Sequence, residues 1–282
     1  MGQKKRIFLF AAYSPSGKVG ASLESYLRAL AGLGDVVFCA DSPLEEEALG
    51  GIGKYVLHAE ALHHAQYDFG SYKRDWEWAK DNLGDLTGYD FLYLVNDSVF
   101  GPLMDLEPLL EDLENQNYGA FGLVYNPHRK TPHLQSWFVG LGKEVFSSVW
   151  FDAFLRGVSS EGSKSDVCQK YETGLTTLLR ENGVSLGYAF EAPHKSIYNS
   201  PLKYVREGLP FVKKSSFTRH GGSLGRQIAA IEREFPSPGT DAMMEEARET
   251  FGKEYMMDHF LSQSPLEAIK RKIHYLYGKL AK

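Results

Sequence analysis

A chain of 282 residues with 31 Lys and Arg against 36 Asp and Glu has a formal net charge of -5, which excludes the basic surplus of a general nucleic-acid surface. The length suffices for one large domain with a solid core, and the 43% hydrophobic content is that of a globular chain. Cys39 and Cys168 are the only cysteines and belong to no Cys-x-x-Cys or Cys/His cluster, so neither a disulfide framework nor a zinc site is signalled.

The start, Met1 to Arg6 and then Ile7 to Ala12, is basic and then apolar, like a signal peptide. The apolar stretch is short and runs into Tyr13-Ser14-Pro15-Ser16-Gly17, so it reads as a first core strand. Ala21 to Leu33 has apolar residues at helical spacing and ends near Gly34. Val36 to Asp41 reads as a second strand, Tyr55-Val56-Leu57 as a weaker third, Gly70 to Leu83 as a helix, and Phe91 to Val95 as a fourth strand. Leu106 to Leu113 follows as a helix and Ala120 to Tyr125 as a strand. In a second block Leu134 to Leu141 is strand-like, Lys143 to Leu155 and Asp166 to Arg180 helical, and Ser185 to Glu191 strand-like. From Ser200 the pattern is irregular and aromatic, turning helical after Gly222. Alternating strands and helices predict an α/β fold, a mostly parallel sheet flanked by helices. With no repeat or obvious linker, the chain reads as a single elaborated domain. No run approaches membrane-spanning length, and the expected location is cytoplasmic.

Four segments carry chemistry. Asn96-Asp97-Ser98-Val99-Phe100-Gly101-Pro102-Leu103 follows the fourth strand directly, which places polar groups at the carboxyl edge of the sheet, where open α/β folds bind ligands. In Tyr67-Asp68-Phe69-Gly70-Ser71-Tyr72-Lys73, Asp68 suits a nucleobase or ribose and Lys73 a diphosphate. The plainer reading has Asp68 capping the helix while Tyr67 and Phe69 fill core. In His133-Leu134-Gln135-Ser136-Trp137-Phe138, strand alternation puts His133, Gln135 and Trp137 on one face, a set suited to sugar hydroxyls and to the apolar face of a sugar ring, or else an ordinary half-buried strand. In Tyr171-Glu172-Thr173-Gly174-Leu175, Glu172 is either a general base for an attacking hydroxyl or a carboxylate favoured by the helix dipole.

Together with Pro210-Phe211-Val212-Lys213-Lys214, these segments resemble, in kind and in order, the rhamnan synthesis protein F family of bacterial polysaccharide glycosyltransferases, which is related to GT-A fold transferases. The match rests on Tyr67 to Gly70, Asn96 to Pro102, His133 to Phe138, Tyr171-Glu172 and Pro210 to Lys214. The resemblance implies a GT-A-like fold with a nucleotide-sugar-binding half over 1–125, an acceptor and catalytic half over 126–222, and a helical extension over 223–282. It implies a nucleotide-sugar donor, dTDP-rhamnose by family weight, and a glycan acceptor.

By the same resemblance Asp41, ending the second strand, corresponds to the acid that meets the donor's base or ribose. Asn96-Asp97-Ser98 corresponds to the Asp-x-Asp motif that brings a carboxylate to a metal on the donor diphosphate. Only Asp97 is acidic there, so Mg2+ or Mn2+ held through Asp97 and a metal-independent mechanism both stand. Without a metal, Lys73, Lys213, Lys214, Arg219 and His220 are the candidates for neutralising the diphosphate, although a Lys-Lys pair also suits a solvated loop. Glu172 is then the base of an inverting single displacement. The rival functions are a non-catalytic sugar- or nucleotide-binding domain of a polysaccharide assembly system and a nucleotide-dependent oxidoreductase. Against the second, Ser14 to Gly20 lacks the GxGxxG spacing.

Residues 265–282 set Leu266, Ile269, Ile273, Leu276 and Leu280 at helical spacing among Lys270, Arg271, Lys272, Lys279 and Lys282. Such a helix suits either an anionic membrane surface, useful for a lipid-linked acceptor at the inner face of the plasma membrane, or docking on its own domain.

Overall fold

The computed structural model describes residues 4–261 except 129, 163 and 219–222. In chain order the elements are β1 (Arg6–Ala12), α1 (Ala21–Ala31), β2 (Asp35–Ala40), α2 (Glu46–Ile52), β3 (His58–Ala61), α3 (Tyr67–Leu83), β4 (Phe91–Asn96), β5 (Val99–Phe100) and α4 (Glu107–Asn115). There follow β6 (Ala120–Asn126), β7 (His133–Leu134), β8 (Phe138–Gly142), α5 (Lys143–Phe146), α6 (Val149–Arg156), α7 (Lys164–Val167), a π-helical turn (Cys168–Glu172), α8 (Thr173–Glu181) and β9 (Leu186–Glu191). The last are α9 (Ser196–Asn199), α10 (Pro201–Arg206), β10 (Val212–Lys213), α11 (Leu224–Glu234) and α12 (Pro238–Phe251).

These elements form two compact units. Of the described residues, one comprises those of 4–19, 27–97 and 106–193; the other comprises those of 20–26, 98–105 and 194–261. The first unit holds the main sheet, in the order β3-β2-β1-β4-β8-β6-β7, with β9 also paired to β6. β1 runs parallel to β2 and β4, and β2 parallel to β3. β8 lies antiparallel between β4 and β6. Every residue of β1 is buried, as expected for a central strand covered on both faces. Phe69, Tyr72, Trp76 and Ala79 of α3 pack at three-and-four spacing with Leu92 and Leu94 of β4 and with Phe151 and Leu155 of α6. In the second unit, Phe100 and Val212, on the paired β5 and β10, join Ile228 and Ile231 of α11 and Met243 and Met244 of α12 in a separate core.

The α/β architecture and its mostly parallel sheet match the sequence expectation, and the departures have local causes. The third strand is His58–Ala61, not Tyr55–Leu57. It lies at the edge of the sheet and is only half-buried along its length, so it carries no apolar run. The stretch from Leu134 to Leu141 is not one strand. β7 pairs Leu134 with Tyr125 and β8 pairs Val139 with Gly122, a register slip of two residues that throws Gln135–Trp137 into a bulge. The helix expected over Lys143–Leu155 breaks where Ser148 caps α6, its hydroxyl accepting from the N–H of Phe151.

Candidate functional site

The bulge of the first unit is where the sequence motifs converge. At the end of β4 the Asn96 N–H donates to the carbonyl of Trp137 (3.1 Å). The Asn96 amide Nδ2 donates to Asp68 Oδ2 (3.0 Å). The Tyr72 hydroxyl donates to the carbonyl of Ser136 (3.2 Å), and the Ser136 N–H points to Glu172 Oε1 at a long 3.5 Å. Glu172 is the last residue of the π-turn, a helix distortion frequent at functional sites. Tyr171 anchors that turn, its ring stacked on Phe69 at 5.6 Å and its hydroxyl accepting from the Ser159 N–H (2.9 Å). The chain neighbours of those two stacked rings are Asp68 and Glu172. Asp68 and Glu172 are half-buried and Asn96 is buried, so this edge of the sheet offers acceptors to a ligand without stranding them in the core.

Asp41, expected to meet a donor, is committed elsewhere. Its Oδ1 accepts from the N–H of His64 (2.8 Å) and Ala65 (2.9 Å), its Oδ2 from the N–H of Tyr67 (3.0 Å), and His63 Nδ1 adds a fourth contact to Oδ1 (3.1 Å). Three of these donors meet Oδ1 and one meets Oδ2, so Asp41 clasps the loop before α3. Burial alone would raise this carboxyl, but the N–H groups of Ala65, His64 and Tyr67 outweigh it and hold the group below its ordinary value. The clasp holds Ala65 (φ 58°) and Tyr67 (φ 56°) in the left-handed region. His64 is lowered by burial, which outweighs the attraction of Asp41. Its neutral ring accepts from the Gln66 N–H at Nδ1 (3.2 Å), which leaves Nε2–H to donate to the Ser71 hydroxyl (3.0 Å).

Three further expected residues are placed as follows. Asp68 does not cap α3, whose cap position is Gln66 with no side-chain capping bond. Lys73 Nζ donates to the carbonyl of Val158 (3.1 Å), which tethers it to the loop after α6. Trp137 is no sugar platform: it is 2% exposed and its indole N–H donates to Gln135 Oε1 (2.9 Å), so the two buried side chains satisfy each other. His133 is half-buried and donates through Nδ1 to the carbonyl of Thr131 (2.7 Å). The alternation that grouped these three residues fails at the bulge.

In the second unit, Gly101-Pro102 and Pro210 to Lys214 come together. Val212 pairs with Phe100 and Lys213 with Val99. Gly101 (φ 134°) has no room for a side chain, since a Cβ there would lie 2.5 Å from the carbonyl oxygen of Pro210. Lys213, buried, donates from Nζ to the Ser98 hydroxyl (2.8 Å). Lys214 instead forms an ion pair with Glu246 Oε1 (2.8 Å), while Glu246 Oε2 accepts from the N–H groups of Ser22 (2.9 Å) and Leu23 (3.0 Å) in the first turn of α1. Arg219, His220 and the basic segment 265–282 lie outside the described residues. Sequence reasoning passed over Tyr72 and Ser136, although both lie inside quoted motifs. It also passed over Glu246, which nothing in its local sequence distinguishes.

Among the described residues, no three His, Cys, Asp or Glu side chains converge as a metal cage. Asp97 at the end of β4 is one carboxylate, and one carboxylate with diphosphate oxygens is a recognised mode for magnesium. No described helix is long and apolar enough to cross a membrane.

The model of the family described as rhamnan synthesis protein F matches residues 36–271. An uncharacterised protein of Sinorhizobium fredii, y4gN, is 31% identical over 152 residues, 51% of this chain; the chain spans 38% of that relative's length. Among solved structures, core-mannan synthase A of Aspergillus fumigatus is similar at 10% identity and a TM-score of 0.34, over 66% of this chain and 72% of that one. TarS of S. aureus is similar at 10% identity and a TM-score of 0.38, over 97% of this chain and 79% of that one. Likenesses this loose assign no residue.

Proposed function

The chain belongs to the rhamnan synthesis protein F family of glycosyltransferases, and we propose that it moves a sugar, rhamnose, from a nucleotide-sugar donor to a growing bacterial surface polysaccharide with inversion at the anomeric carbon. The observation that supports this reading is the convergence at Gln135–Trp137, where Asn96 with Asp68 and, separately, Glu172 reach the same bulge from different elements. One carboxylate, Glu172, serves as base; the Asp68–Asn96 pair and Asp97 serve the donor.

In the proposed step Glu172 takes the proton of an acceptor hydroxyl. The freed oxygen lone pair forms the new bond to the anomeric carbon, and the bond from that carbon to the diphosphate breaks on the opposite face, its electrons leaving with the nucleoside diphosphate. A magnesium or manganese ion held through Asp97 would supply positive charge to the departing diphosphate. Within the second unit the Lys213 ammonium is bonded to Ser98 and that of Lys214 is paired with Glu246. For the segment 265–282 we propose contact with the inner membrane surface, which suits a lipid-linked acceptor; its deletion then lowers binding to anionic liposomes.

Glu172→Gln tests the assignment, because it keeps the shape of the side chain and removes its basicity. Transfer falls at least a hundredfold, while the rise in thermal midpoint on adding the nucleotide-sugar donor persists. Appreciable turnover in this variant would remove Glu172 from the role. A wild-type midpoint unmoved by any nucleotide sugar or nucleoside diphosphate, with or without magnesium or manganese, would remove the transferase reading itself.

A further inference from the structure

Two side-chain rings lie stacked beside the far end of α8. Tyr125, near the end of β6, and Tyr188, on β9, are face to face with ring centroids 4.8 Å apart and planes 16° from parallel. Tyr188 is 43% exposed, one of the few large rings of the described chain left so open. Polar groups surround the pair. The Tyr188 hydroxyl donates to Glu191 Oε2 (3.2 Å), Arg180 Nη2 donates to the Tyr125 hydroxyl (3.4 Å), and Arg180 Nη1 is held by the carbonyl of Pro132 (2.8 Å).

This combination has a chemical reading. A pyranose ring has one apolar C–H face, which rests on an aromatic plane, and a rim of hydroxyls, which need both donors and acceptors. A tyrosine pair with a guanidinium and a carboxylate at its edge supplies all three. A protein partner's apolar anchor would instead favour a pocket without so many charged neighbours.

Position supports the same reading. Along one face of α8 and the turn before it, Glu172 faces the Ser136 N–H, Thr176 accepts from the Leu134 N–H (3.1 Å), and Arg180 reaches the Pro132 carbonyl. These contacts step back two residues, from 136 through 134 to 132, for each turn of helix. At 1.5 Å per residue, Arg180 lies about 12 Å along the axis from Glu172. We infer that Tyr125, Tyr188, Arg180 and Glu191 form a glycan-binding subsite that holds the inner sugars of a chain whose terminal hydroxyl is at Glu172. The inference rests on the transferase reading for its polarity and on the geometry of the ring pair for its chemistry.

The test measures two things on the full chain. Binding of tri- to pentasaccharides of rhamnose, mannose, glucose, galactose and N-acetylhexosamines is titrated against wild type, Tyr188→Ala and Tyr188→Phe. Hydrolysis of nucleotide sugars to water, without acceptor, is followed in the same three proteins. The expected result is that one oligosaccharide class binds wild type, that Tyr188→Ala weakens it at least tenfold, that Tyr188→Phe retains most of the binding, and that donor hydrolysis is equal in all three. Equal saccharide affinity in Tyr188→Ala overturns the subsite, as does the absence of saccharide binding to a wild type that hydrolyses donor. A wild type that binds saccharide through Tyr188 but hydrolyses no donor supports the subsite and overturns the transferase reading, so the two fail separately.

Discussion

Ala65 and Tyr67 both adopt a backbone conformation that costs an L-residue roughly 1–2 kcal/mol, and both have their N–H groups on the carboxylate of Asp41. Asp41→Asn removes the charge and half of the acceptor capacity, and destabilises the protein by about 1–3 kcal/mol at pH 7. The folded-state value of Asp41 is lowered, so its stabilisation is present above the unfolded value near 3.9 and lost as pH falls below it. Chemical denaturation of the two proteins should therefore differ at pH 7 and converge below pH 4. Gly70 makes a second residue-scale case. A Cβ there would lie 2.2 Å from the Cβ of Gln66 and 2.8 Å from the His64 ring. Alanine brings up to about 1 kcal/mol of helix propensity, but the crowding costs about 1–3 kcal/mol. Gly70→Ala thus comes out destabilised by thermal melt, and a raised midpoint would show that the His64 loop yields freely.

At the scale of elements, α8 depends on the ladder that joins it to residues 132–136. Thr176 is 1% exposed and accepts from a buried backbone N–H. Thr176→Val keeps the volume and strands that donor, at a cost of about 1–3 kcal/mol; a denaturation midpoint unchanged within error would show that the N–H finds another partner. The same region shows what sequence patterns convey and where they stop. β1, β2, β4 and β6 are apolar along their middles because they are covered on both sides, and each is readable within a residue or two at its ends. The bulge at Gln135–Trp137 is not readable, because its cause is the register of β7 and β8 against β6, a relation between segments. The grouping of His133, Gln135 and Trp137 failed for that reason. Asn96, Asp68 and Glu172 stood out as chemistry-bearing residues in the chain, whereas their meeting at one bulge depends on the tertiary fold. The commitment of Asp41 depends on a loop more than twenty residues away, which local sequence does not encode.

At the scale of the molecule, the pH response combines opposing groups. Asp75 is 1% exposed, and no partner among the described residues meets its Oδ2. Burial, followed by the charge of Glu60, raises it well above the usual carboxylate range, against the opposing effect of the Phe10 backbone N–H. A raised folded value gives stability that is full below about pH 3.9 and declines as pH rises toward the folded value. Across that interval the wild type should lose about 1.4 kcal/mol per pH unit relative to Asp75→Asn. Urea denaturation at pH 5, 6 and 7 measures this, and parallel stability profiles for the two proteins would refute it. Arg6 and Glu114 make the opposite kind of buried site, joined by two hydrogen bonds of 2.7 and 2.9 Å with the Tyr93 hydroxyl added. There each charge lies against its opposite, and the hydrogen bond to Glu114 raises the Arg6 guanidinium above its ordinary value.

The chain path of the second unit bears on biosynthesis. Its described segments are 20–26, 98–105 and 194–261, and the bond from Lys213 to Ser98 closes a separation of 115 residues. The strands of the main sheet, by contrast, have all been made by Glu191. On the ribosome, β5 must therefore wait, unpaired, while the whole sheet emerges, and its partner β10 arrives only afterwards. Maturation is sequential by necessity, with the sheet able to acquire protease resistance in a nascent chain too short to contain α11. Stalled chains of increasing length, probed by limited proteolysis, should show protection of the sheet first and of residues 98–105 last.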